Sequence, residues 1–521
     1  MTPLTSNMNP LLVPKNTPGI DMSKTLSIEK KAAAHNEPPP SENTVINKEE
    51  STPEPVLAQA TPRPSDAELE VDYGPLIEEG SVVNQMYVAA KFARDNLILH
   101  EPAQSTFYDY DPKTGLWQPA NSESVKIQLG IWLRQILLES AKHLLKRLNQ
   151  NLLSQILPFL RGVAEKRDAF QRTNNIVHVG NGMLHLDDNP PSFHGFSPDY
   201  YSRNSSGICY DKTAECPEFL GKLLQPALSD DDISLLQRYA GQCLLGCNPS
   251  QRLLLLRGTP GGGKSTVANI IQTVVGNHNV AQLRVNLLGE RFELAHYIGK
   301  TLLVSADVPG DFLNHKYAQV LKTLVGGDPL NPEQKNRSGR PNMKGEFNVI
   351  ITSNTRLRVR LDADSGAWRR RLAIIDYALP PTEKPIPHFA DQLISTEGAG
   401  ILNWCIEGAV QLLSELNTTG HIDLTSEQTE RVEALLCESD SVRYFVRECV
   451  EKQELEDVTT HELLMSYNDY CDERGWQGVA TRQFENQISD VMMDLHRVAR
   501  RHDIKRFNKS YRGFSQVTLM I

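Results

Sequence analysis

Short apolar runs recur between residues 245 and 380: Leu253–Leu256, Leu302–Val304, Val349–Thr352 and Leu372–Ile375, spaced by stretches of helical length. Runs this short and continuously apolar read as strands buried on both faces, and their alternation with helices predicts an α/β core with a parallel sheet. Upstream, Tyr108 to Trp117 predicts a hairpin turning on Asp111-Pro112-Lys113-Thr114-Gly115. Asn175 to Leu186 predicts a second hairpin, with Asn181-Gly182 as its turn. Apolar positions at Ile127, Leu129, Leu133, Ile136, Leu137, Leu144 and Leu148 predict a long amphipathic helix before Pro158. A helix over Ile233–Leu245 leads into the first strand of the core. Downstream, the pattern predicts a helical linker around Trp404, then helices over Val442–Val450, Leu463–Glu473 and Arg482–Leu495. A basic, strand-like end follows, turning at Tyr511-Arg512-Gly513-Phe514. The expected organisation is a tail (1–75), a mixed α/β accessory domain (76–240), the α/β core (241–380), a helical linker (381–438) and a terminal domain (439–521).

Composition changes this picture mainly at the N-terminus. Residues 1–72 hold no Phe, Trp or Tyr and are rich in proline, so they cannot bury enough apolar surface to offset the entropy of ordering; disorder is expected. Eight cysteines without C-x-x-C spacing read as reduced thiols, with neither a disulfide framework nor a zinc site. No run approaches 18 apolar residues, which predicts a cytoplasmic protein that does not span a membrane. The net charge of −10 excludes a uniformly basic coat, so any contact with nucleic acid must come from local patches.

The sharpest chemistry lies at Gly258-Thr259-Pro260-Gly261-Gly262-Gly263-Lys264-Ser265, followed by Thr266, directly behind the Leu253–Leu256 run. This is a complete G-x-x-x-x-G-K-[ST] loop between a strand and a helix. Its glycines let backbone N–H groups turn onto phosphate oxygens, its lysine reaches the β- and γ-phosphates, and the Ser265 hydroxyl suits Mg²⁺. The pattern predicts binding of a nucleoside triphosphate such as ATP, with Mg²⁺.

Further along, Asp307 ends the second long apolar run, where a carboxylate can hold Mg²⁺ across from Ser265; a plain strand-ending polar residue is the alternative. Asn354 ends the next run, where an amide can orient an attacking water or simply make a turn. Trp368-Arg369-Arg370-Arg371-Leu372 precedes the last run, and its guanidinium groups suit charge on a transferring phosphoryl, or else form a solvated edge. A finger reaching across a subunit boundary requires a dimer or ring. Lys335, Arg337, Arg340 and Lys344 surround a predicted turn that either follows DNA phosphates or is solvated. Arg500, Arg501, Lys505 and Arg506 belong to a second basic patch, suited to DNA or to docking a partner or neighbouring subunit.

Taken together, Gly258–Ser265, Asp307, Leu321-Lys322, Gly326-Gly327-Asp328, Lys335, Asn354 and Trp368–Leu372 resemble superfamily 3 helicases. They look most like the C-terminal half of phage and plasmid primase–helicases and of the poxvirus-type helicase–primase. Residues 107–117 and 175–245 resemble that family's accessory domain, Glu397–Trp404 its post-motor helix, and 440–521 its winged-helix tail. The resemblance implies an AAA+-type P-loop core in a hexameric ring that hydrolyses ATP and translocates on single-stranded or forked DNA. It also implies Asp307 as the second-motif acid, Asn354 as the first sensor, and Arg371, then Arg370, as the finger. The stretch before residue 76 is too short for a primase domain, so a separate primase or initiator is the expected partner. Two other readings of the same loop are an ATP-dependent initiator or assembly switch that does not unwind, and a nucleotide kinase. The kinase reading lacks an acceptor-site signature.

Overall fold

A computed structural model of the protein describes residues 62–79, 82–171, 175–333, 335, 343–361, 365–378 and 386–520. These all fall within one compact unit, Thr52–Ile521. Helix α1 (Asp66–Tyr73) lies inside the stretch expected to be disordered. A Ser65/Glu68 capping box satisfies its first turn, Leu69 is buried with Tyr87 and Ala90, and Asp66 pairs with Lys91 and Arg94. The tail thus ends earlier than expected, because a capped turn with one buried leucine has a partner in α2 (Gln85–Asn96).

Strands β1 (Ile98–Glu101), β2 (Thr106–Asp111) and β3 (Leu116–Ala120) form an antiparallel meander, with Asp111 opposite Leu116 across the expected turn. The long helix expected next is instead two. Helix α3 (Ser122–Ser140) buries Val125, Leu129, Leu133 and Leu137, leaving Ile127 58% exposed. A 3-10 turn over Lys142–Arg147 then leads to α4 (Gln150–Val163), capped by Asn149. The i, i+4 stripe closes at Leu137, and Ala141 leaves helical geometry (φ −154°, ψ 56°). Pro158 lies within α4 on an exposed face rather than ending the helix before it.

Strands β4 (Ile176–Val179), β5 (Gly182–His185) and β6 (Ser192–His194) make a second meander. Its turn is Gly180-Asn181, one residue earlier than expected, since Val179 pairs with Gly182. Gly182 is held in the strand because a Cβ there would lie 2.5 Å from the His194 carbonyl oxygen, while Asn181 bonds both ways with Tyr210. Val177, Val179 and Leu184 share a core with α5 (Asp230–Leu245), so this meander packs under the sheet that follows.

That sheet contains β7 (Leu253–Gly258), β8 (Val280–Gln282), β9 (Leu302–Ser305), β10 (Asn348–Ser353) and β11 (Leu372–Tyr377). All neighbours are parallel, in the order β8-β9-β10-β7-β11. The four apolar runs are four of these strands; β8, a short edge strand, was not legible. Alternate residues face opposite layers. Leu254, Leu256, Ile350 and Ile375 pack with α5, α6 (Lys264–Val275) and α9 (Phe389–Thr419). Leu253, Leu255, Ile351 and Ile374 pack with α7 (Val320–Val325), with Trp368 of α8 (Ser365–Arg371) and with α10 (Ser426–Ser439). Leu253–Leu256 are each 0% exposed, and complete burial of such side chains contributes about 1.5–3 kcal/mol apiece.

The C-terminal unit runs α11 (Ser441–Cys449), β12 (Val450–Thr459), α12 (Thr460–Glu473), α13 (Thr481–His496), β13 (Arg501–Arg506) and β14 (Lys509–Leu519). Its antiparallel sheet has the order β12-β14-β13, and Phe445, Tyr467, Phe484 and Phe514 form the core. The expected turn at 511–514 lies within β14; the hairpin instead turns at Phe507-Asn508. No helix among the described residues is long and apolar enough to cross a membrane.

Helices α5 and α9 cross at backbone contact. A Cβ on Gly241 would lie 2.1 Å from the Ala409 nitrogen, and one on Gly408 would lie 2.0 Å from the Gln237 carbonyl oxygen. Gly241→Ala and Gly408→Ala are each expected to destabilise by about 1–3 kcal/mol through overpacking. A clear drop in thermal midpoint by calorimetry checks this, and an unchanged midpoint in both would refute so close a crossing.

Candidate functional site: a phosphate loop at the sheet edge

Strand β7 delivers Gly258 to the C-terminal edge of the sheet, and α6 starts at Lys264. Between them the chain reverses through Gly261 (φ +83°) and Gly263 (φ +95°). Gly258 (φ +140°) passes so close to β11 that a Cβ would lie 2.3 Å from the Tyr377 carbonyl oxygen. Any side chain there would push the loop off the sheet. Thr259, Pro260, Gly261 and Ser265 are exposed, whereas Gly262, Gly263 and Thr266 are half-buried. Lys264 is buried, and its Nζ donates to the carbonyl oxygens of Gly258 (3.0 Å) and Thr259 (2.6 Å). Burial holds this ammonium below its ordinary pKa, and the negative charge of Asp307 opposes that shift.

Asp307 follows β9 in a left-handed conformation (φ +49°), an unusual backbone state for a residue other than glycine. Its N–H donates to Thr352 Oγ1 (2.9 Å), and its Oδ1 accepts from Asn354 Nδ2 (3.0 Å). Both Asp307 and Asn354 are exposed. The structure thereby brings Lys264, Asp307 and Asn354 to one edge, with Ser265 in the first turn of α6. A hydroxyl and a carboxylate oxygen form a donor set suited to a hard cation such as Mg²⁺.

Tyr377 was not singled out from sequence. It is 1% exposed, packs against Gly258, Gly262 and Gly263, and its ring centre lies 6.0 Å from Lys264 Nζ. Among the described residues its hydroxyl is buried without a hydrogen-bond partner, and burial pushes its pKa up. The ring forms the floor of the loop. The one local signal that could have found it is a bulky aromatic at the end of an apolar run.

Arg370 and Arg371 are not at this edge. Leu372 pairs with Leu253 and Tyr377 with Gly258, so Arg371 enters at the opposite end of the sheet. Five residues of strand separate the two ends, roughly 17 Å. Arg371 donates to the carbonyl oxygens of Lys322 and Ala367 (3.3 Å each), Arg370 is exposed, and Arg369 pairs with Glu433. Arg252 and Arg369–Arg371 line a cavity of about 530 Å³ together with His421 and Asp423.

Of the expected DNA contacts, Arg337 and Arg340 lie outside the described residues, and Lys335 is an exposed turn residue. Pro329–Leu330 pairs antiparallel with Met343–Lys344, and Lys344 is ion-paired with Glu346. In the C-terminal unit, Arg500 contacts the Glu485 carbonyl oxygen (3.3 Å), Arg501 forks onto Asp503 (2.8 and 2.5 Å), and Lys505 bonds Ser510 Oγ (3.0 Å). Arg506 bridges Glu462 (2.9 Å) and Asp457 (2.6 Å), and these partners raise its pKa.

A separate cluster, unforeseen from sequence, joins His185, Asp188 and His194, whose donor atoms lie within 4.8 Å of one another. Its histidines already bond to neighbouring hydroxyls: His194 Nε2 lies 2.7 Å from Ser192 Oγ, and His185 Nε2 lies 3.0 Å from the Tyr200 hydroxyl.

Residues 256–371, which carry the loop, Asp307, Asn354 and the arginine run, match a family of unknown function, DUF5906. No curated protein matches the chain. Among solved structures, the apo structure of the NrS-1 C-terminal region (305–718) aligns over 84% of this chain and 100% of its own, at 12% identity and a TM-score of 0.45. The A form apo structure of the same region aligns over 83% and 99%, at 13% identity and a TM-score of 0.43.

Proposed function

We propose that the chain is an ATP-driven DNA motor of the superfamily 3, AAA+ type, which works as a hexameric ring to unwind DNA during replication of a phage, plasmid or other mobile element. The observation that carries this reading is the two-ended layout of the sheet. The phosphate loop, Asp307 and Asn354 share one edge, while the arginine run sits roughly 17 Å away at the other. Within one chain those guanidinium groups cannot touch a phosphate held by the loop. Between stacked copies they can, which is the logic of a finger supplied in trans.

In this reading Lys264 exchanges the carbonyl oxygens of Gly258 and Thr259 for β- and γ-phosphate oxygens. That exchange returns a desolvated ammonium to anionic partners. Ser265 and Asp307 are the residues that would hold Mg²⁺, and that ion would neutralise charge on the phosphates. Asn354, already bonded to Asp307, presents its amide to the attacking water. Arg370, exposed beside the anchored Arg371, enters the neighbouring site. Lys335, Arg337, Arg340 and Lys344 supply the cations that follow the DNA phosphates. The C-terminal unit, with three helices and a three-stranded antiparallel sheet that ends in the β13–β14 hairpin, acts as a winged-helix DNA-binding domain.

Two outcomes test the site. Lys264→Ala should abolish the rise in thermal midpoint that Mg-ATP gives the wild type, a stabilisation of about 2.7 kcal/mol at a hundredfold excess over Kd. A retained shift would show that the nucleotide binds elsewhere. Arg370→Ala and Arg371→Ala should leave ATP binding intact but cut ATPase by roughly 10³-fold. Mixing either with Lys264→Ala should restore part of the activity, because some mixed boundaries carry both an intact loop and an intact finger. Absence of recovery in both mixtures would refute shared sites. On a forked duplex the wild type should separate strands only with hydrolysable ATP. Turnover without separation would favour a switch that assembles on DNA without moving.

A further inference from the structure

The β13–β14 hairpin closes through Phe507 and Asn508, between the paired residues Arg506 and Lys509. Both turn residues have left-handed backbones, φ +48° and +60°. A two-residue turn of this geometry favours Asn or Gly at each position. Asn508 conforms; a phenylalanine at positive φ is an outlier. Nor does the core account for it, since Phe507 is 97% exposed.

Two features say what the ring meets. The hairpin is held firmly: Arg506 forks onto Glu462 of α12 and bonds both the side chain and the carbonyl oxygen of Asp457. The tip is therefore presented on an anchored arm. The hairpin's own charges beyond Asp503 are also one-signed, and the carboxylates nearest its tip, Asp457 and Glu462, are paired with Arg506. Lys505, Lys509 and Arg512 are exposed around the tip, Tyr511 is 40% exposed, and no Asp or Glu occurs from Ile504 to Ile521. A projecting aromatic ring among cations matches the chemistry of a nucleic-acid base with its phosphates, because rings stack on any base and the ammonium groups take the backbone.

We propose that Phe507 stacks on the unpaired base at a single-strand/duplex junction, with Lys505, Lys509 and Arg512 contacting the adjacent phosphates. This rests on the DNA reading above and gives the C-terminal unit a specific preference for forks.

The test uses the full chain and a forked DNA carrying 2-aminopurine at the junction, titrated without ATP. Wild-type protein should bind and quench the fluorophore. Phe507→Ala and Phe507→Asn, the second being the residue that the turn favours, should retain their thermal midpoint. Each should lose the quenching and weaken fork binding roughly 5- to 150-fold. The slope of log affinity against log salt should not change, because no charge is removed. Lys505→Ala with Lys509→Ala should make that slope shallower by about 0.7 for each phosphate no longer neutralised. Phe507→Trp should retain both quenching and affinity. Wild-type binding with unaltered affinity in Phe507→Ala and Phe507→Asn overturns this proposal alone. So does a change in self-association at unchanged fork affinity, which would make the tip a contact between copies. Failure of the wild type to bind any DNA overturns the DNA reading itself.

Discussion

Parallel strand pairing is the constraint on which the site depends. In a parallel sheet every strand delivers its C-terminal end to the same edge, so residues far apart in sequence become neighbours once their strands are in register. Here Ser305 pairs with Ile351 and Ser353 with Arg257. That register places Asp307, Asn354 and the loop after Gly258 side by side. The same rule sends the residues preceding each strand to the far edge, where Arg371 lies. One topological fact thus gathers the glycine-rich loop with Lys264, Asp307 and Asn354 at one edge and keeps the arginines of 369–371 away from them.

The far edge is closed by a buried amide network. Asn348 donates to the carbonyl oxygens of Gln242 and Cys247, Gln242 donates to Asn248 and Asn348, and Tyr239 donates to the Val349 carbonyl oxygen. Gln242 and Asn348 are 0% exposed, so a missing partner would leave a desolvated polar group. Filled as it is, the network fixes α5 against the start of β10 and thereby fixes the register itself. The glycines at the α5–α9 crossing let the second helix close over the first, which completes the layer beneath the loop.

What the sequence disclosed follows the range of the interactions involved. Buried strands and the phosphate loop are local patterns, and they stand where the apolar runs and glycines put them. The capping box at Ser65 and Glu68 is equally local, yet a composition argument over the whole tail concealed it. By contrast, the bond between Asp307 and Asn354, the floor provided by Tyr377 and the contact of Gly241 with Ala409 arise from pairings across many residues. No periodicity encodes them. The displaced turns at 180–181 and 507–508 belong to the same class, because strand register chose them over the favoured turn residues.

Cations illustrate the limit most clearly. A run containing Arg500, Arg501, Lys505 and Arg506 reads from sequence as one basic surface, but burial and pairing divide it. Arg501 and Asp503 are solvent-exposed neighbours whose attraction water and salt screen, so their pairing is weak. Arg506 is held more firmly: it satisfies two carboxylates and a backbone carbonyl at once, and removing it would leave Glu462 and Asp457 unpaired beside each other. Its charge is spent within the arm. The exposed cations Lys505, Lys509 and Arg512 therefore gather around the hairpin tip, apart from the ion-paired Arg501 and Arg506.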